Sequence, residues 1–171
     1  MALIKTVRGK TPVFGKNIWL ADNCTVTGDV VCGDDCNIWF GAILRGDVHY
    51  IKIGNRVNIQ DNAVIHCTYE KSPVNIGNCV SIAHNAIVHG ATIKDNVLIG
   101  MNAVILDDAV IESNCIIAAG AVITKGTITE PNSVYAGIPA KKIKTVDEKL
   151  SKDNIERIVN NYAMYADWYR E

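Results

Sequence analysis

A chain of 171 residues, 49% hydrophobic, can bury a proper core, and its six cysteines contain no C-x-x-C pair, which excludes a disulfide miniprotein and a cysteine-based metal cluster. The formal net charge is -1 and the 17 lysines and arginines are dispersed, so no basic stripe exists to attract nucleic acid or an anionic membrane. No apolar run reaches the roughly 18 residues that a membrane span requires, and "MALIKTVRGKTPVFG" lacks the apolar core of a signal peptide, so the expected location is cytoplasmic.

Past this N-terminal stretch the sequence repeats every six residues. Leu20, Val26, Cys32, Ile38 and Leu44 form a first run, followed by Ile53, Ile59 and Ile65, then Ile76, Ile82 and Val88, then Ile93, Ile99, Ile105, Ile111, Ile117 and Ile123. Four residues beyond each of these anchors the side chain is small: Cys24, Cys36, Ala42, Ala63, Ala86, Ala103, Cys115 and Ala121 are examples. Three cysteines thereby fall under a packing rule and read as structural free thiols. A period of six with one large and one small inward position fits neither a helix nor a simple alternating strand. It fits a parallel β-helix in which each unit forms one side of a triangular prism, three units form a coil, and coils stack about 4.8 Å apart. "GDD", "GNR", "KDN" and "GMN" supply the Gly, Asn and Asp residues that the corners need.

The tail departs from this pattern. Ile155, Val159, Tyr162, Ala166 and Tyr169 recur at helical spacing, and Thr145 followed by Glu148 predicts a capping box at the helix start. The expected organisation is therefore a β-helix domain over 1–144 and a helix over 145–171, packed along the prism with its aromatic face inward. Roughly residues 13–140 resemble the hexapeptide-repeat proteins, which implies an all-β, left-handed parallel β-helix.

Counting units places the histidines. Leu44, Ile65 and Val88 lie on one face in consecutive coils, so Arg45, His66 and His89, the residues after them, form an outward column. Two imidazoles one coil apart can lean onto one metal ion. His84 belongs to another face, in a column with Asp61, and strand geometry separates it from the pair by about 10 Å. One chain does not close such a site; a second prism alongside could, which predicts a cyclic trimer with a metal at each interface. A lone outward histidine is usually a solvated surface residue, but three of the four histidines fall within residues 66–89 and two share a register. His49 has no stacked partner and remains a surface residue.

"RGD" at 45–47, "NIQDNAVIH" at 58–66 and "IAHNAIVHG" at 82–90 together resemble the signature of the γ-class carbonic anhydrases. The resemblance implies reversible hydration of carbon dioxide to bicarbonate at the interfaces of a homotrimer, with zinc, or Fe2+ or Co2+ in its place, held by His66, His84 and His89. It further implies that Gln60 positions the attacking hydroxide with Asn58 beside it, and that Arg45, Asp47 and Asp61 form interface ion pairs. Tyr135, in "SVYAG", is expected to approach the site. Two departures from the family pattern bear on rate: Val48 stands where a glutamate is usual, and the loop 67–75 is short, with Glu70 as its only acid. Turnover limited by proton release is the expectation. Two rivals stay open: a hexapeptide-repeat acyltransferase acting on a CoA thioester, for which "AGIPAKKIK" is a shared and undiscriminating segment, and a metal-stapled trimeric scaffold without catalysis.

Overall fold

The structure is a computed structural model that describes residues 1–170. Short parallel strands stack coil upon coil around an apolar interior, and the six-residue anchors are the inward side chains. One face aligns Leu20, Ile38, Ile59, Ile82, Ile99 and Ile117. A second aligns Val26, Leu44, Ile65, Val88, Ile105 and Ile123, and a third Cys32, Ile53, Ile76, Ile93 and Ile111. Strands Thr25–Cys32 and Ile43–Ile53 run round a corner and join the second and third faces into one hydrogen-bonded sheet. The anchors from Ile59 to Ile117 on the first face are at most 1% exposed. Burying each such isoleucine contributes roughly 1.5–3 kcal/mol, and the alanines four residues on leave them room.

The corners follow one backbone rule. Three residues after an anchor the chain turns through the left-handed region: Asp35, Arg56, Cys79, Asn96 and Asn114 at one corner, Asn62, Asn85 and Asn102 at the next, and Asp108 at the third, all with φ between 55° and 61°. Asn and Asp tolerate this conformation better than other side chains, which explains their recurrence. At the first corner the side chains also climb the stack. Asp34 accepts the Lys16 N–H at 2.7 Å, Asn55 that of Asp34 at 2.7 Å, Asn78 that of Asn55 at 2.9 Å, and Asp95 that of Asn78 at 2.6 Å.

The strand Ala140–Thr145 folds back antiparallel on Ser133–Gly137. Thr145 is thus the end of a strand rather than a helix cap. The cap is Asp147, whose carboxylate accepts the Leu150 N–H at 2.7 Å. A π-helical turn, Ser151–Glu156, leads into the helix Arg157–Trp168. Ile155, Val159 and Ala166 are buried, and the helix contacts the first face at Asn37–Ile38 and Asn58–Ile59. Tyr162 meets Trp39 edge-on at 5.1 Å and Tyr169 meets Trp19 at 5.5 Å. Arg56 donates to Asn160 at 2.8 Å. Among the described residues no helix is long and apolar enough to cross a membrane.

All six cysteines are free thiols. Burial pushes Cys24, Cys36 and Cys67 up to about 11 and raises Cys32 and Cys115 as well, whereas Cys79 sits partly exposed at a corner.

Two measurements follow. Replacing Asn102 by Ala, at a left-handed corner, should cost about 1 kcal/mol in urea unfolding, while Asn102→Gly should cost less; equal losses would remove the backbone explanation. Iodoacetamide on the native protein should label Cys79 alone, with the five buried thiols reacting after denaturation, as peptide mass mapping would reveal.

Candidate functional site

The second face carries the histidine pair. In strands Ile43–Ile53, Val64–His66 and Ile87–His89 the alternation of the pleat sends Leu44, Ile65 and Val88 inward, and Arg45, His66 and His89 outward in register. His66 Nδ1 lies 3.2 Å from His89 Nε2. The other nitrogen of each ring is held by a carboxylate: His66 Nε2 lies 3.1 Å from Asp47 and His89 Nδ1 lies 2.8 Å from Asp107.

Local chain geometry puts those carboxylates in place. The register passes from Gly28↔Gly46 directly to Val30↔Ile51, so residues 47–50 bulge out opposite the single residue Asp29. That bulge swings Asp47 toward His66, where Arg45 donates to it at 2.6 Å. Burial works to raise the Asp47 carboxyl, but hydrogen bonds from Arg45 and His66 outweigh it and hold it below its ordinary value. Burial lowers His66, against the pull of Asp47, and so favours its neutral form. Asp107 reaches back from the next coil to His89 past Gly90, where any Cβ would collide with it. Thr68 donates to Asp107 as well, at 3.1 Å.

His84 stands on the first face with the same arrangement. Its Nδ1 lies 2.8 Å from Asp61, and its Nε2 accepts from the Tyr162 hydroxyl at 3.0 Å. Burial, with Asp61 adding to it, pushes that hydroxyl up to about 12, so it stays a donor. Beside His84, beneath the C-terminal helix, lies a buried polar ladder: Gln60 donates to Asn58 at 2.9 Å and Asn58 to Ser81 at 2.7 Å.

The expected residues therefore divide between two faces: Arg45, Asp47, His66 and His89 on one, and Asn58, Gln60, Asp61 and His84 on the other. Among the described residues, no three His, Cys, Asp or Glu side chains of the single chain are grouped to hold a metal. Within the chain Asp47 and Asp61 orient histidines, in addition to whatever ion pairs they form elsewhere. The expectation for Tyr135 does not hold. It continues the inward column beyond Ile117, three coils above Ile82, and its hydroxyl accepts the Glu130 N–H at 3.0 Å, so it points into the core rather than toward either histidine group. His49 projects into an open cleft lined also by Asp47, Val48 and Glu70, with Nδ1 accepting the Tyr50 N–H at 2.9 Å.

A divalent cation fits the donor set. An ionised carboxylate only accepts, so the ring nitrogen facing Asp47 or Asp107 carries the proton, and the two nitrogens 3.2 Å apart present lone pairs to each other. A shared positive charge resolves that repulsion. Tetrahedral metal–nitrogen bonds of about 2.0–2.1 Å place two coordinating nitrogens about 3.4 Å apart, close to the observed separation, and carboxylates behind metal-binding histidines are the usual orienting arrangement.

Comparison with known proteins agrees with this architecture. Residues 90–125 match the family described as bacterial transferase hexapeptide (six repeats). Over 168 residues the chain is 40% identical to a carbonic anhydrase of Geobacillus kaustophilus, covering 98% of this chain and 91% of that one. It is 43% identical over 154 residues to a probable carbonic anhydrase of Methanocaldococcus jannaschii, covering 90% and 94%. A solved Bacillus cereus structure, provisionally called an acetyltransferase, superposes with a TM-score of 0.93 at 37% identity, covering 98% and 96%. The chain belongs to the γ-carbonic-anhydrase-like family of hexapeptide-repeat proteins.

Proposed function

We propose that the chain forms a homotrimer that holds a divalent cation between His66 and His89 of one subunit and His84 of the partner subunit, and that it hydrates carbon dioxide reversibly to bicarbonate. Zinc is the cation proposed, with Fe2+ or Co2+ as alternatives that a tri-imidazole set also accepts. The observation that carries this reading is the pair of mutually facing nitrogens at 3.2 Å, each backed by its own carboxylate. The division of the donors between two faces supports a two-subunit site. So does the outward aliphatic ladder Ile43, Val64, Ile87, Val104 and Val122 beside the histidine column, a surface that a second copy would cover. Relatives named carbonic anhydrase support the reaction.

When bound, a dication held by three neutral imidazoles acts as a Lewis acid that makes hydroxide available near neutral pH. The side chains of the protein do the rest. Gln60 Nε2 is committed to Asn58, which leaves its Oε1 to accept from the nucleophile and fix its orientation without competing for a proton. Asp47, Asp61 and Asp107 keep each histidine in the tautomer that offers a lone pair. The cleft beside His66 is lined by Asp47, His49 and Glu70 together with Arg8 and Lys10, and its titratable groups are the ones positioned to receive the released proton.

Acyl transfer from a CoA thioester is a second reading. It draws on an apolar groove of about 420 Å³ beside the C-terminal helix, lined by Leu98, Met101, Ile116, Tyr162 and Tyr165, which is far larger than carbon dioxide requires. Thermal stabilisation by CoA thioesters, together with an inert hydratase assay, would favour it.

Purified protein should carry about one cation per chain and hydrate carbon dioxide in proportion to occupancy, and chelation should abolish the activity. His66→Ala and His84→Ala should each be inactive. Refolding the two variants together should restore part of the activity, because some interfaces then combine an intact pair with an intact His84; no recovery would sink the shared site. With the short loop 67–75, kcat should rise with buffer concentration while kcat/KM stays constant, and a buffer-independent kcat would show that proton release is not limiting. A metallated, trimeric but inert protein would leave the scaffold role.

A further inference from the structure

We propose that Tyr162 is a displaceable cap on His84, occupying its one free ring nitrogen until a cation takes its place. The inference rests on the reading of His66, His84 and His89 as ligands and concerns how that site is loaded.

The two halves of the site are unequal. On the second face the free nitrogens of His66 and His89 contact only each other among the described residues, at 3.2 Å, so a cation has no third side chain to displace there. On the first face Asp61 engages His84 Nδ1 at 2.8 Å, so Nε2 carries the lone pair, and the Tyr162 hydroxyl donates to it at 3.0 Å. A cation gains His84 only by breaking that bond.

The cap is held by the docked helix. Tyr162 lies on Arg157–Trp168, whose buried Val159 and Ala166 seat it on the prism, and Tyr162 packs edge-on to Trp39. Arg56 ties the same helix down through Asn160. Tyr162 also fixes the His84 ring with Nε2 as an acceptor, the form that ligation requires, so the contact prepares the ligand while withholding it. The open half would take up a cation first, and His84 would complete the site when Tyr162 releases it.

The test compares metal binding to apo wild type, Tyr162→Phe and Tyr162→Leu, using Zn2+ and Co2+ in competition with a chromophoric chelator and following loading by stopped flow. Tyr165→Phe serves as control, because among the described residues its hydroxyl makes no hydrogen bond. Removing the Tyr162 hydroxyl should tighten binding roughly two- to tenfold, the range that a net hydrogen bond of this kind supports, and speed loading. The direction is diagnostic, since damage to helix docking would weaken binding. Should Tyr162→Phe fold poorly, Tyr162→Leu makes the same prediction. Affinity equal to or weaker than wild type in both variants would overturn the cap while leaving the metal site intact. Absence of metal binding by the wild type would overturn the ligand reading and the cap with it.

Discussion

Parallel backbone hydrogen bonds between successive coils hold equivalent residues of each six-residue unit in register, and the functional distances descend from that constraint. His66 and His89 are 23 residues apart in sequence yet face each other at 3.2 Å because their strands pair residue for residue. The same register lines up the anchors inside and the aliphatic ladder outside. A slip of one residue would send His66 and His89 into the core and Ile65 and Val88 to the surface. The cost of burying unpaired imidazoles therefore protects the site along with the fold.

Each of the three histidines is backed by a carboxylate from its own chain: Asp47, Asp61 and Asp107. Ring orientation and tautomer are thus set within the single chain. In the trimer proposed above, the three rings would enter a shared site already oriented, with only the Tyr162 contact to give way, which would lower the entropic cost of building it. The buried ladder of Gln60, Asn58 and Ser81 follows the same logic, since each polar group under the helix is bonded to a neighbour one coil away or on the same strand.

Much of this was legible in the sequence because a repeat turns counting into geometry. The inward anchors, the small positions, the Arg45–His66–His89 column and the separate face of His84 all follow from a period of six. What escaped counting lies where the chain leaves that period. Asp107 sits at a corner, and extending the register one coil beyond Gly90 would have found it; the "LDD" run was the available signal. Tyr162 packs on Trp39 as its helical spacing predicts, but its hydroxyl contact with His84 escapes counting, because the angle at which a helix lies on a prism is set by tertiary contacts that no repeat encodes. Thr145 was misread as a cap because its strand pairing with Ser133 is antiparallel and non-repetitive. Tyr135 was expected near the site from its position in the chain, although its register continues the inward column.

The bulge at residues 47–50 and the loop following His66 both leave the prism at corners, between one flat face and the next. The stack beneath them bears no load from their length. A lineage could lengthen either segment or add acids to it while the strand register kept His66 and His89 adjacent, provided Asp47 and Thr68 kept their contacts. The coils thus act as a fixed rack, and the segments hung on its edges can change in length and charge without refolding the prism.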